Sequence, residues 1–95
     1  MALKVLSTPS FDRVVKKMHA RDKKLVDQAV VNIAADPAIG EEKKGDLAEV
    51  FVYKFKVNKQ EVLLAYRLQP NKKKPKEVVL LNIGSHENFY SVMKR

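Results

Sequence analysis

Hydrophobic positions in the first twenty residues change from a short run to helical spacing. Residues 2–7 form a short apolar run typical of a strand. Phe11, Val14, Val15 and Met18 then follow at the spacing i, i+3, i+4 and i+7, which is one face of a helix. Thr8-Pro9 precedes them with a capping hydroxyl and a proline suited to the first helical position. The pattern predicts a strand followed by an amphipathic helix.

A second helical stripe follows after a short connection. The connection is His19-Ala20-Arg21-Asp22, with Asp22 as the expected N-cap, and Pro37 and Gly40 end the helix. The stripe consists of Leu25, Val26, Ala29, Val30 and Ile33. Two helices joined by so short a link predict an antiparallel hairpin, whose remaining apolar surface needs a sheet to cover it.

The second half of the chain carries the spacing of strands. Residues 49–57 alternate, so that Phe51, Tyr53, Phe55 and Val57 share one face and Val50, Val52, Lys54 and Lys56 share the other. A tight turn at 58–60 leads into a strand at 61–68, which predicts a hairpin.

The last predicted strand covers residues 76–83. Its run Val78-Val79-Leu80-Leu81 is typical of a strand that is buried on both faces. We expect Gly84 to end this strand and Ser85 to cap a short C-terminal helix. The predicted order is therefore β-α-α-β-β-β-α, in one α+β domain spanning residues 1–95.

Composition and charge narrow the class of protein. The chain has no cysteine, so its 45% hydrophobic residues must supply the core without disulfides or thiolate-bound metal. We expect residence in the cytoplasm, because no signal peptide or membrane-spanning run is recognisable. The net charge is +8, and residues 51–95 hold ten basic but only three acidic residues. Such a charge attracts polyanions such as RNA, although a merely solubilising surface is an equal alternative.

Motifs for phosphate loops, dinucleotides or zinc are missing, so no cofactor and no metal is expected. RNA cleavage by attack of the ribose 2′-hydroxyl needs only a base, an acid and positive charge. We rank His86 first as the proton-transfer residue and Tyr90, four residues later, as its assistant. The residues expected to bind phosphate are Lys54 and Lys56, with Arg67 and Arg95 as weaker candidates.

Each of these residues also has a structural interpretation. A histidine at a helix start more often makes a structural hydrogen bond, and Tyr90 beside Phe89 can belong to the core or its rim. Strand lysines such as Lys54 and Lys56 are commonly solvated, and they discourage edge-to-edge pairing.

Several short motifs together resemble the RelE/ParE toxins of bacterial toxin–antitoxin pairs. They are Phe11-Asp12-Arg13, Lys16-Lys17, Gly45-Asp46-Leu47, Leu63-Leu64-Ala65-Tyr66, Val78-Val79-Leu80-Leu81 and Ile83-Gly84-Ser85-His86-Glu87-Asn88-Phe89-Tyr90. The resemblance spans nearly the whole chain, and its most specific part is the segment from Gly84 to Tyr90.

The resemblance implies a small curved, mainly antiparallel four-stranded sheet on a helical hairpin, with a cognate antitoxin as partner. It also implies a ribosome-dependent mRNA endonuclease with basic residues on the sheet, an arginine or histidine just past the last strand, and a C-terminal tyrosine. Lys54, Lys56, His86 and Tyr90 match those places. The arginine that many such nucleases carry three residues before a tyrosine is Leu63 here, and Arg67 is its possible replacement.

Two further functions stay open at this point. Other members of the superfamily inhibit DNA gyrase by protein contact, without cleaving nucleic acid, which would make His86 incidental. A third alternative is a degenerate relative that binds RNA or sequesters an antitoxin without toxicity.

Overall fold

The computed structural model describes residues 3–43, 50–57, 59–69 and 73–85.

Thr8 joins the first strand, the first helix and the last strand. Strand β1 spans Lys4–Ser7 and helix α1 spans Pro9–Lys16. The Thr8 hydroxyl accepts a hydrogen bond from the Phe11 N–H (3.3 Å) and donates one to the Leu81 carbonyl (2.7 Å). The predicted cap is therefore confirmed, and it also fixes the start of α1 against the sheet.

Helix α2 spans Ala20–Ala35, and a 3₁₀ helix at Pro37–Ile39 follows. The prediction that Asp22 caps α2 is wrong, because His19 is the N-cap and Asp22 lies in the first turn. Of the predicted apolar stripe, Leu25 is exposed, Val30 is half-buried, and Val26, Ala29 and Ile33 are buried. At the other end, the Leu3 N–H donates to the Ala34 carbonyl (3.2 Å), which places the C-terminus of α2 beside the start of β1.

The sheet has five strands, where the sequence predicted four. The other four strands are β2 (Glu41–Glu42), β3 (Phe51–Val57), β4 (Gln60–Gln69) and β5 (Glu77–Ser85). Their order is β1-β5-β4-β3-β2, in which β1 pairs with β5 in parallel and the other pairs are antiparallel. The additional strand β2 holds only two glutamates, so it shows no apolar alternation that a sequence pattern can reveal.

Gly84 does not end the last strand, contrary to the sequence prediction. It pairs with Leu63 and the next residue, Ser85, pairs with Val62, because the long strand β4 still offers backbone partners at this level. The predicted C-terminal helix lies outside the described residues. A bulge interrupts the same ladder: Ala65 pairs with Asn82 and Tyr66 with Leu80, so Leu81 is the additional residue on β5.

The sheet buries side chains on both of its faces. The helical face packs with Phe11, Val26, Ala29 and Ile33 of the helices, and its strand residues are Phe51, Val57, Val62, Leu64, Tyr66, Val78, Leu80 and Ile83. The outer face, opposite to the helices, has a smaller cluster of Val50, Val52, Leu63 and Ala65, against which Leu81 packs. Strand β4 is therefore buried on both sides from Val62 to Tyr66.

Tyr66 connects the core to the segment that follows α2. Its hydroxyl donates to the Pro37 carbonyl (2.6 Å) and accepts from the Gly40 N–H (3.0 Å). Burial raises the pKa of Tyr66 to about 12; the Gly40 hydrogen bond opposes the shift and Asp36 adds to it. A Cβ at Gly40 would lie 2.5 Å from the Tyr66 oxygen, so only glycine permits this approach.

Replacing Tyr66 by phenylalanine is expected to lower the free energy of unfolding by about 1–3 kcal/mol. The change removes both hydrogen bonds and leaves the Pro37 carbonyl and the Gly40 N–H without the hydroxyl between them. Urea unfolding followed by circular dichroism measures the loss.

Tyr53→Phe is the matched control for Tyr66→Phe. Tyr53 is half-buried, and within the described residues its hydroxyl accepts a single, long hydrogen bond of 3.5 Å from Asn32. We expect the control to lose clearly less stability than Tyr66→Phe. Equal losses in the two variants would contradict the role assigned to Tyr66.

Candidate nucleic-acid interface

Lys54 and Lys56 lie on the outer face of the sheet. The alternation of β3 sends Phe51 and Val57 into the helical cluster and leaves the two lysines exposed on the opposite side. Lys54 pairs with Leu63 of β4, and Lys56 pairs with Glu61. The Glu61 carboxylate is therefore the nearest cross-strand neighbour of Lys56, whereas the neighbour of Lys54 is apolar.

One row of residues crosses the outer face from β3 to β5. Lys54 pairs with Leu63, and Leu63 pairs with Gly84. Neighbouring strands are about 4.8 Å apart, so the backbone of Gly84 lies about 10 Å from that of Lys54. A lysine side chain can cover much of that distance. The local sequence does not predict this row, because a glycine after an apolar run is typical of a strand end and only the register with β4 pairs Gly84 with Leu63.

Leu63 occupies the middle of this row and is fully buried, with 0% of its surface exposed. It belongs to the apolar cluster of the outer face together with Val52 and Ala65. An arginine at this position would have to place its guanidinium among those side chains or push past them. Leu63 is thus part of a packed core, and the centre of the interface is apolar.

Arg67 shares the outer face with Leu63 but lies four residues further along β4. Four residues of an antiparallel strand span about 13 Å. Arg67 is exposed and pairs with Val79, toward the opposite end of β5 from Gly84. The structure therefore brings Lys54 and Lys56 together and places Arg67 apart from them.

The remaining predicted site residues, His86, Tyr90 and Arg95, lie outside the described residues, as does the Gly45-Asp46-Leu47 motif. Strand β5 is described as far as Ser85, the residue that directly precedes His86 in the sequence. Among the described residues, no three His, Cys, Asp or Glu side chains converge as metal ligands would. In the same part of the chain, no helix has the length and apolarity needed to cross a bilayer.

Solved structures with this architecture come from bacteria and an archaeon. A chain of the RelBE2 toxin–antitoxin complex of Mycobacterium tuberculosis is 19% identical, with a TM-score of 0.74 over 90% of this chain and 100% of that one. A free-state mutant of toxin RelE from E. coli is 18% identical (TM-score 0.69, covering 96% and 93%). A chain of the RelE–RelB complex of Pyrococcus horikoshii is 12% identical (TM-score 0.58, covering 90% and 96%). These similarities define a small α+β protein with the RelE fold.

The sequence itself gives the family. Comparison with curated protein sequences gives no significant match. A family model for the ParE-like toxin of type II bacterial toxin–antitoxin systems matches residues 5–94. The chain therefore belongs to the ParE-like toxins, and the resemblance to RelE/ParE toxins inferred from its motifs is confirmed.

Leu63→Arg is expected to destabilise the fold by about 3 kcal/mol or more, because it places an unpaired charge in a fully buried position. Leu63→Met is the matched control, since it keeps an apolar side chain of similar volume and should cost less than about 1.5 kcal/mol. Urea unfolding compares the two variants. A Leu63→Arg protein as stable as Leu63→Met would show that the position tolerates the arginine typical of related nucleases.

Proposed function

We propose that this toxin cleaves messenger RNA on the ribosome, in the cytoplasm, and so stops translation. The observation that carries the proposal is the row from Lys54 to Gly84 on the outer face. It places the backbone of the exposed Lys54 about 10 Å from that of Gly84, two residues before His86, a separation that one phosphodiester and its two riboses can fill. Family membership supports a toxin, and the resemblance of the Gly84–Tyr90 segment to RelE-type nucleases supports the reaction.

In the proposed reaction, the ribose 2′-oxygen attacks the adjacent phosphorus and gives up its proton to a base. The P–O5′ bond breaks, and the leaving 5′-oxygen takes a proton from an acid. The products are a 2′,3′-cyclic phosphate and a 5′-hydroxyl. His86 is the group proposed to exchange a proton, because imidazole can do so in either direction near neutral pH. Tyr90 assists by proton transfer or by stacking on a base.

The lysines have the electrostatic role in this proposal. Negative charge on the phosphate oxygens increases as the pentacoordinate state forms, and a nearby ammonium group stabilises it. Lys54 is the better placed of the two, because Lys56 faces the carboxylate of Glu61. Arg67 and Arg95 are assigned to flanking phosphates; for Arg67 the 13 Å displacement along β4 fits a neighbouring nucleotide rather than the scissile one.

The partner proposed for the free toxin is a cognate antitoxin. Three of the solved structures with this fold are toxin–antitoxin complexes, from Mycobacterium tuberculosis, E. coli and Pyrococcus horikoshii. The family model likewise describes toxins of type II bacterial toxin–antitoxin systems. An antitoxin that covers the outer face would block the lysines and the end of β5 together.

A second candidate function is inhibition of DNA gyrase by protein contact. The burial of Leu63 favours it, since the arginine of many related nucleases has no counterpart at the centre of the outer face. Under this alternative the toxin cleaves no nucleic acid, and neither the exposed lysines nor His86 take part in catalysis.

The double variant Lys54→Gln/Lys56→Gln tests the proposal in a translating extract. Loss of the stabilising charge is expected to lower the rate of mRNA cleavage by about a hundredfold. Primer extension on a defined message measures the rate.

The matched control for this variant is Lys4→Gln/Lys76→Gln, which removes the same charge from two other exposed lysines. Cleavage by the control should stay within about threefold of the unmodified chain, which is under 1 kcal/mol of barrier. Equal losses of cleavage rate in both variants would show that Lys54 and Lys56 act only through the net charge of the protein. An unmodified chain that leaves the message intact would contradict the nuclease proposal.

A further inference from the structure

A strongly basic segment lies on the helical side of the molecule, away from Lys54 and Lys56. We define the helix corner as residues 13–24, which comprise the second half of α1, the connection and the first turn of α2. It holds six cations and one acid, so its net charge is +5 out of the total of +8. The cations are Arg13, Lys16, Lys17, Arg21, Lys23 and Lys24. The net charge of the first half of the chain does not reveal this basic segment, because the acidic residues that follow it cancel its charge.

Three of those acidic residues follow the C-terminus of α2, and the fourth, Asp27, lies one helical turn after Lys23. From residue 25 to residue 42 the chain has four acids and no base. They are Asp27, Asp36, Glu41 and Glu42. Ala34 contacts Leu3 at the start of β1, and the first turn of α2 lies about 21 Å along the helix axis from that contact. Three of the four acids of residues 25–42 are therefore separated in space from the helix corner.

The corner cations are available to a partner. Five of the six are exposed and Lys23 is half-buried. Within the described ranges, none of the six forms an ion pair with a carboxylate. The apolar side chains of α1 and α2 pack in the helical cluster of the core, where Phe11 and Val26 are buried. The charged side chains consequently surround an outward-facing corner.

Helix electrostatics account for only part of this arrangement, since Arg13 and Lys16 lie in the last turn of α1, where bases are favoured. The first turn of a helix favours acids and its last turn favours bases. Helix α2 is arranged less favourably, because Arg21 shares the first turn with Asp22, Lys23 and Lys24 follow closely, and the last turn holds no base. Mutual repulsion within the corner adds to this disadvantage. A partner that neutralises the cations is the simplest compensation.

We propose that the helix corner is a second docking surface for RNA, which binds the phosphate backbone of a folded or double-stranded region. The inference extends the proposed RNA-directed function to a separate surface, since the corner is on the helical side and Lys54 and Lys56 are on the outer face. Exposed lysines and arginines at several adjacent positions suit a phosphate backbone, whose binding needs charge but no apolar contact. A protein partner would need apolar or aromatic anchors, and the larger apolar side chains of the corner, Val14, Val15 and Met18, are half-buried against the core.

The test compares two triple variants that carry the same charge. One is Lys16→Gln/Lys17→Gln/Lys24→Gln in the corner, and the other is Lys4→Gln/Lys59→Gln/Lys76→Gln elsewhere. All six lysines are exposed, and circular dichroism checks that both proteins fold. The probe is an RNA duplex of about 20 base pairs, with its dissociation constant measured over a range of KCl concentrations.

The corner variant is expected to bind the duplex at least about tenfold more weakly. The slope of log Kd against log salt should also fall by up to about three, because each of the three lost phosphate contacts removes close to one unit. The control should stay within about twofold of the unmodified chain.

Equal weakening in both variants would overturn the inference, since net charge alone would then explain binding. A corner variant that keeps the duplex but loses a polyglutamate peptide would overturn it too, in favour of an acidic protein partner. Duplex binding requires no cleavage, so this inference and the proposed nuclease activity can fail independently.

Discussion

The rest of the structure depends on the register of β4 between its two neighbours. From Val62 to Tyr66 this strand is buried on both faces, so its side chains alternate between two different apolar clusters. Leu64 and Tyr66 pack beneath the helices, and Leu63 and Ala65 pack on the outer face. A slip of one residue would exchange the two sets and move the Tyr66 hydroxyl away from Pro37. The register is therefore strongly specified by packing.

The same register assembles the candidate site. Leu63 pairs with Lys54 on one side and with Gly84 on the other. The register therefore places a cation of β3 and the last residues of β5 on opposite sides of one apolar residue. It also places Arg67 about 13 Å along β4 from the level of Lys54, because Lys54 pairs with Leu63. The outer face thus combines an apolar centre with charged positions around it. Related nucleases with an arginine at the position of Leu63 would have a charged centre instead.

Strong periodicity allowed much of this fold to be predicted, and its absence explains the errors. The stripe of α1 and the alternation of β3 are long enough to specify one element and one buried face each. Strand β2 consists of two glutamates and forms because β3 offers backbone partners, so no local sequence pattern predicts it. The prediction that Gly84 ends the last strand is wrong, because backbone pairing with Leu63 outweighs the tendency of glycine to end a strand. The positions of Lys54 and Lys56 on one face followed from alternation, whereas the separation of Arg67 required the register.

The central claim is that this ParE-like toxin cleaves messenger RNA with His86 as a proton-transfer residue. The most direct measurement maps mRNA 5′ ends after brief induction of the unmodified chain and of His86→Ala, with DNA supercoiling followed in parallel. The account predicts new ends within translated reading frames that become about a hundredfold rarer in the variant, with supercoiling unchanged. Intact messages together with gyrase-dependent DNA breaks, equally frequent in both proteins, would contradict it and establish the gyrase alternative.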